Sequence, residues 1–275
     1  LGISKKDIPF LFKIKKYMKN LIEPFAKIKT NYMYLLFGLQ FISLLIMWQY
    51  STPEMIPQPT DVLSSLGSFL SSRDFYEDLF QSLILTCKAM FYSIVISCII
   101  GYISVVPLFS GLAHFLVKLR YLTLVGLVFT FTLILQKGSD VKLSLLMFGI
   151  IPFFVLSLLS VINKIDQKEF DLCKTIGMNK WETLWELVIL GRMDQTIETI
   201  RANFAIAWLM ITIVETFSMS EGGIGVMLYR FNKYNQLDNI FALQFIIFGL
   251  GIFFDYILTV IRTFLFPHIK YSEVK

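Results

Sequence analysis

The sequence predicts an all-α integral membrane protein with six transmembrane helices and both termini in the cytoplasm. Two observations carry this: a composition too apolar for a water-soluble domain, and a lopsided distribution of Lys and Arg. Of 275 residues, 56% are apolar and 16% charged, with 27 Phe and a mean hydropathy of +0.67. Soluble domains average about 25% charged residues, so this chain lacks the polar surface to wrap a core in water. Six helices of roughly 20 residues each use the apolar sequence that is present.

Residues 1–32 form a basic arm with eight lysines. Lys13, Lys15, Lys16 and Lys19 beside Phe10, Phe12 and Tyr17 fit an elbow helix on an anionic lipid surface, each charge contributing about 1 kcal/mol there. The first apolar run, 33–49, ends in Trp48, Gln49 and Tyr50, an interfacial belt rather than a cleavage site, so it reads as a retained span. Further runs occupy 79–106, 112–135, 142–162, 202–219 and 240–264, within a membrane domain of 33–264 followed by a tail, 265–275. The arm, segments 107–120 and 163–201, and the tail from 262 together hold 19 Lys and Arg, and the alternate set of loops holds five. By the positive-inside rule the richer set is cytoplasmic. The net charge of +5 is thereby a matter of topology, and nucleic-acid binding has little support.

The loop 163–201 is too polar for lipid yet patterned as two short helices. Asp166 with Glu169 offers a capping-box start, Gly177 a left-handed stop, and Asn179 with Glu182 a second start. Trp181, Leu184, Trp185 and Val188 then recur at i, i+3, i+4 and i+7, an apolar stripe built to dock. A helix lying in headgroups usually carries a Lys/Arg-rich polar face, whereas this loop has seven acidic residues against six basic. Protein docking is favoured over lipid. Simple capping of the chain's own bundle remains an alternative.

Three ionisable residues fall inside apolar runs, Lys88, Glu215 and Asp255, and a mid-bilayer charge costs several kcal/mol unless paired or hydrated. Lys88 either attracts an anionic solute or snorkels to the external surface. Glu215, with Thr212, Thr216 and Ser218 nearby, either lines a path or makes a buried helix-to-helix hydrogen bond. Asp255 is expected to pair with a cation or hydroxyl on a neighbouring span, and Gly249 and Gly251 suggest close helix packing. Phe109, Phe129, Phe131, Phe148, Phe153 and Phe154 read as packing and lipid contact.

Cys87, Cys98 and Cys173 are spaced as buried thiols, and with only His114 and His268 a metal site lacks its usual ligands. No phosphate-loop motif is present, and EGGIG at 221–225 lacks both its Lys and a following helix start. A membrane enzyme would need clustered acids, His or an activated nucleophile. A secondary transporter would show inverted repeats or broken helices. Neither pattern stands out. A non-transporting assembly subunit of the same fold remains a further alternative.

The stretch DLCKTIGMNKWETLWELVIL, 171–190, resembles the EAA loop of ABC-importer membrane subunits, with Asp171 at the acidic position and Gly177 at the glycine. Residues 116–154 are similar to the third and fourth spans of the nitrate, sulfonate and taurine branch. VETFSMSEGGIG, 214–225, looks like that branch's glutamate and Gly-x-Gly turn, and PQPTDVL, 57–63, resembles its external linker. Leu172 and Cys173 replace the usual small residues, Leu190 lacks the Pro that normally follows, and Leu122 and Thr123 stand where a Pro is common. The resemblance implies a type I ABC importer permease-like bundle with cytoplasmic coupling helices, in a bacterial cytoplasmic (inner) membrane. It implies ATPase coupling through Asp171, Leu172, Thr175, Ile176, Gly177, Met178 and Trp181. Glu215, Thr212, Ser218, Lys88 and Asp255 are candidates for a translocation path or gate for a small solute, an anion such as nitrate or sulfonate among those to consider. The implied partners are two ATP-binding cassette subunits that hold ATP and Mg, a second permease subunit forming a homodimer, and an external substrate-binding protein. No cofactor is expected in this chain.

Overall fold

The structure, a computed structural model, describes residues 30–51, 56–219 and 222–267. Most of the basic arm and most of the tail lie outside the described residues, and with them the expected elbow helix. The chain divides into two compact units, Leu1–Asp61 and Val62–Lys275. In the first, helix α1 (Thr30–Ser51) is long and apolar enough to cross a membrane and buries none of its apolar window. Trp48 Nε1 donates to the Pro57 carbonyl (3.2 Å).

Helix α2 (Pro59–Ser71) leads into the second unit. There follow α3 (Arg73–Ile103), α4 (Pro107–Lys118), α5 (Leu124–Ile134), α6 (Gly138–Asn163), α7 (Gln167–Ile176), α8 (Lys180–Thr183, continued as a π-helix over Leu184–Leu190), α9 (Met193–Phe217), α10 (Ile224–Lys233) and α11 (Leu237–Leu265). With α1, the helices α3, α6, α9 and α11 are each long and apolar enough to span.

The expected span 112–135 is not one straight helix. It is α4 and α5, bent by 108° at a short break. Leu122 and Thr123 adopt extended backbone, with ψ of 131° and 130°, which interrupts the ladder of helical hydrogen bonds. The 11 residues of α5 reach only about 16 Å, so the pair makes at most one broken crossing. A second difference lies at the start of α9: Met193 already begins the long helix, so the last nine residues assigned to the loop 163–201 belong to a span.

Small side chains let α3 and α6 approach. Ser82, Thr86, Ala89, Ser93 and Ser97 recur along one face of α3 and are fully buried, as are Leu145, Leu146, Ile150, Phe154 and Leu158 of α6. At Gly101 a Cβ would stand 3.0 Å from Leu158 Cδ1, so glycine lets the two helices meet there without displacing that leucine. Helix α9 contributes Ala207, Trp208 and Ile211 to the core, and Trp208 Nε1 donates to the Ile247 carbonyl of α11 (2.9 Å). Gly251 faces this tryptophan, but nothing lies within 4 Å of a Cβ at Gly249, so only one of the two glycines serves close packing. Of the three thiols expected to be buried, only Cys173 is; Cys98 is half-buried and Cys87 exposed, because it points away from the buried face of α3.

Candidate functional site

Two places stand out, at opposite ends of α9. The first is the segment α7–α8. Asp166 caps α7 by accepting from the Lys168 amide (3.3 Å). The expected partnership with Glu169 does not form, since that carboxylate pairs with Arg192 at the entry to α9. Gly177 ends α7 at φ +87°, a conformation that costs a side chain roughly 1 kcal/mol or more. The Met178 amide then reaches back to the Cys173 carbonyl (3.0 Å). Asn179 and Glu182 form a complete capping box: Asn179 Oδ1 accepts from the Trp181 and Glu182 amides (both 2.9 Å), and Glu182 Oε2 from the Asn179 amide (2.8 Å).

Beyond Thr183 the helix widens into a π-helix, whose extra residue per turn shifts the stripe expected from a 3.6-residue repeat. Val188 turns inward at 1% exposure, while Trp181 and Trp185 stay 70% and 58% exposed. Leu172 and Ile176 on α7 are exposed as well. Met178 is half-buried and lines a groove of about 780 Å³ with Val105, Pro107, Phe170, Trp181 and Leu184. Asp171 accepts from Lys174 Nζ (2.9 Å), and this hydrogen bond and charge hold its carboxyl below the usual range. Thr175 Oγ1 bonds back to the Asp171 carbonyl (2.8 Å).

The second place is the far end of α9. Glu215 is 1% exposed; its Oε1 accepts from Ser82 Oγ (2.7 Å) and its Oε2 from the Gly225 amide (2.8 Å). Ser82 Oγ in turn accepts from the Ile224 amide (2.9 Å), Asp78 Oδ1 from the Gly223 amide (2.9 Å), and Lys142 Nζ donates to the Gly222 carbonyl (2.9 Å). Three spans, α3, α6 and α9, thus grip the first turn of α10. The expectation that no helix starts after EGGIG is corrected, since α10 begins at Ile224. Three of its leading amides are taken by Asp78, Ser82 and Glu215, the groups that a phosphate at a helix start would use.

Of the other candidates, Thr212 and Thr216 bond to carbonyls of their own helix, Thr216 also reaching Gly225 (3.2 Å), and Ser218 ends α9. Asp255 accepts from Arg201 Nη1 (2.8 and 3.0 Å) across α9 and α11. Arg201 also pairs with Glu198, which takes Arg262 Nη1 as well (2.8 Å). Lys88 stands apart, exposed on α3. Sequence reasoning missed Asp78, Ser82 and Lys142. Lys142 was counted as a loop cation, though its place at the head of a continuous apolar run was a signal; Asp78 and Ser82, one turn apart, carry none without the fold. Among the described residues no cluster of His, Cys, Asp and Glu is arranged to hold a metal.

The family described as binding-protein-dependent transport system inner membrane component matches residues 62–271. No curated protein is matched by the sequence. Among solved structures, the fold is similar to an amino acid ABC transporter crystallised with histidines, at TM-score 0.60 and 12% identity, over 74% of this chain and 96% of that one. It is also similar to a bacterial ABC transporter involved in import of the acidic polysaccharide alginate, at TM-score 0.54 and 12% identity, over 94% and 96%.

Proposed function

Because the chain belongs to the family of inner membrane components of binding-protein-dependent transport systems, and is therefore the multi-pass, non-catalytic permease component of an ABC importer, we propose that α7–α8 is where it receives the work of ATP hydrolysis. The observation that supports this is the contrast within the segment. Its backbone is closed by the Asn179 capping box and the Gly177 stop, so it is stiff, yet it leaves Leu172, Ile176, Trp181 and Trp185 exposed. Stiff apolar knobs with satisfied backbones suit a protein groove.

In this reading Leu172, Ile176, Met178 and Trp181 fill a cleft of an ATPase subunit, Asp171 and Thr175 fix the α7 face, and Gly177 sets the angle between the two short helices. Two such ATPase subunits bind ATP and Mg, and a second copy of this chain completes the path. An external binding protein delivers the solute. The membrane is a bacterial cytoplasmic membrane, with α7–α8 and both termini on the cytoplasmic side. Nucleotide-driven closure then moves packed spans as rigid bodies. Glu215, Thr212 and Ser218 hold the outer end of α9 as part of the gate, Lys88 stands midway along the path, and Asp255 steadies its inner part through Arg201.

The test is to tag the C-terminus, extract the membrane in mild detergent, and identify and count the co-purifying chains. A stoichiometric subunit carrying a phosphate loop is expected. Recovery of the chain alone and monomeric in several mild detergents overturns the reading.

A further inference from the structure

Helix α3 has two opposite faces. One carries the buried residues Ser82, Thr86, Ala89, Ser93 and Ser97. The other runs through Glu77, Gln81, Ile84, Lys88, Tyr92, Val95 and Ile99, all exposed and spaced at steps of three or four, one continuous stripe of an α-helix. The stripe changes character along its length. Its outer half holds Glu77, Gln81, Lys88 and Tyr92; its inner half, Val95, Ile99 and Ile103, is wholly apolar.

Lys88 sits at the boundary, the sixteenth of the 31 residues of α3. It lies nine residues inside the apolar run that begins at 79, about 13 Å along the axis, whereas a lysine stem extends about 6 Å. Snorkelling, open from the sequence alone, is disfavoured by this depth. The other charges inside apolar runs are met within the chain: Glu215 by Ser82 and Gly225, Lys142 by Gly222, and Asp255 by Arg201. Lys88 has no hydrogen bond or ion pair among the described residues. An exposed, unpaired ammonium at that depth is tolerable only against water or an anion.

We propose that the outer half of this stripe fronts a water-filled path, closed below by Val95, Ile99 and Ile103, and that Lys88 Nζ holds the anionic group of the solute at the floor of the wet half. The inference rests on the permease reading and adds the charge class of the cargo and its stopping point. An apolar collar beneath a fixed charge resists wetting, so the bound anion waits there until the spans move.

Substituted-cysteine labelling in right-side-out membrane vesicles, with and without internal ATP, tests this on the full chain. In a background with Cys87, Cys98 and Cys173 replaced by Ser, Gln81→Cys, Tyr92→Cys and Ile99→Cys are treated with an anionic sulfonatoethyl or a cationic trimethylammonioethyl methanethiosulfonate. Labelling from outside is expected at 81 and 92 and not at 99. At position 92 the anionic-to-cationic rate ratio is expected to fall about fivefold or more when Lys88→Gln is added, as one charge a helical turn away dictates, and to persist with Lys88→Arg. Absence of labelling at 81 and 92 in both nucleotide conditions means that lipid or a second chain covers the face, and overturns the proposal. So does a ratio indifferent to Lys88→Gln. Since labelling is read whether or not an ATPase co-purifies, its failure is distinguishable from failure of the permease reading.

Discussion

The turn gripped by Glu215 and the segment α7–α8 are both polar interruptions in a hydrophobic chain, and they solve opposite problems. At the first, the side chains find their partners within the chain: Glu215, Ser82, Asp78 and Lys142 take the Gly223, Ile224 and Gly225 amides and the Gly222 carbonyl. At the second, the backbone is equally complete, but large apolar side chains stand in the open. The difference teaches which end of the molecule is finished by its own residues and which awaits another chain.

The largest expected effect falls on the finished end. Gly223 has φ +117°, and a Cβ there would lie 2.4 Å from Glu215 Oε1. Gly223→Ala therefore has to break the grip on α10, and a loss of about 3 kcal/mol or more is expected, read as a lowered melting midpoint of the detergent-purified chain. An unchanged midpoint would show the turn to be plastic and erase the contrast.

Next comes the open end. Combining Trp181→Ala with Trp185→Ala is expected to weaken capture of the ATPase subunit by about 2 kcal/mol or more per tryptophan while leaving the melting midpoint alone, because both rings are exposed. Equal loss of both properties would make the tryptophans structural. Smaller still is Asn179→Ala, which removes the cap from two amides and is expected to cost about 1 kcal/mol, measured as faster amide exchange over 180–184.

The smallest effect belongs to Asp171. Lys174 lowers its folded carboxyl range, so whatever stability the pair adds is present above the unfolded Asp value and fades as pH falls through the folded one. Lys174→Ala is expected to raise the Asp171 titration midpoint, followed by the carboxyl carbon resonance, without a measurable change in melting, since the pair is exposed.

Much of α7–α8 was legible beforehand. Its signals are local: Gly177 can adopt φ +87° at low cost, and Asn179 with Glu182 closes a box within four residues. The stripe over Trp181, Leu184, Trp185 and Val188 misled in part, because a π-helix replaced the α-helix on which its spacing was read. The bend at Leu122–Thr123 escaped notice since apolar residues run through it unbroken. Lys142 was placed in solvent because hydropathy reports the average of a window and not the direction of one side chain.

Sequence alone determined that this chain lives in a bilayer, where its five long apolar helices lie, and where the short capped segments lie, because composition and local hydrogen bonding depend on neighbours a few residues away. Only the tertiary structure decided that Glu215 is enclosed with Asp78, Ser82 and Lys142, that Asp255 is matched by Arg201, and that Lys88 is left unmatched. Those outcomes join residues 54 to 145 positions apart, and burial and pairing at such range are fixed by helix packing, which no local pattern encodes.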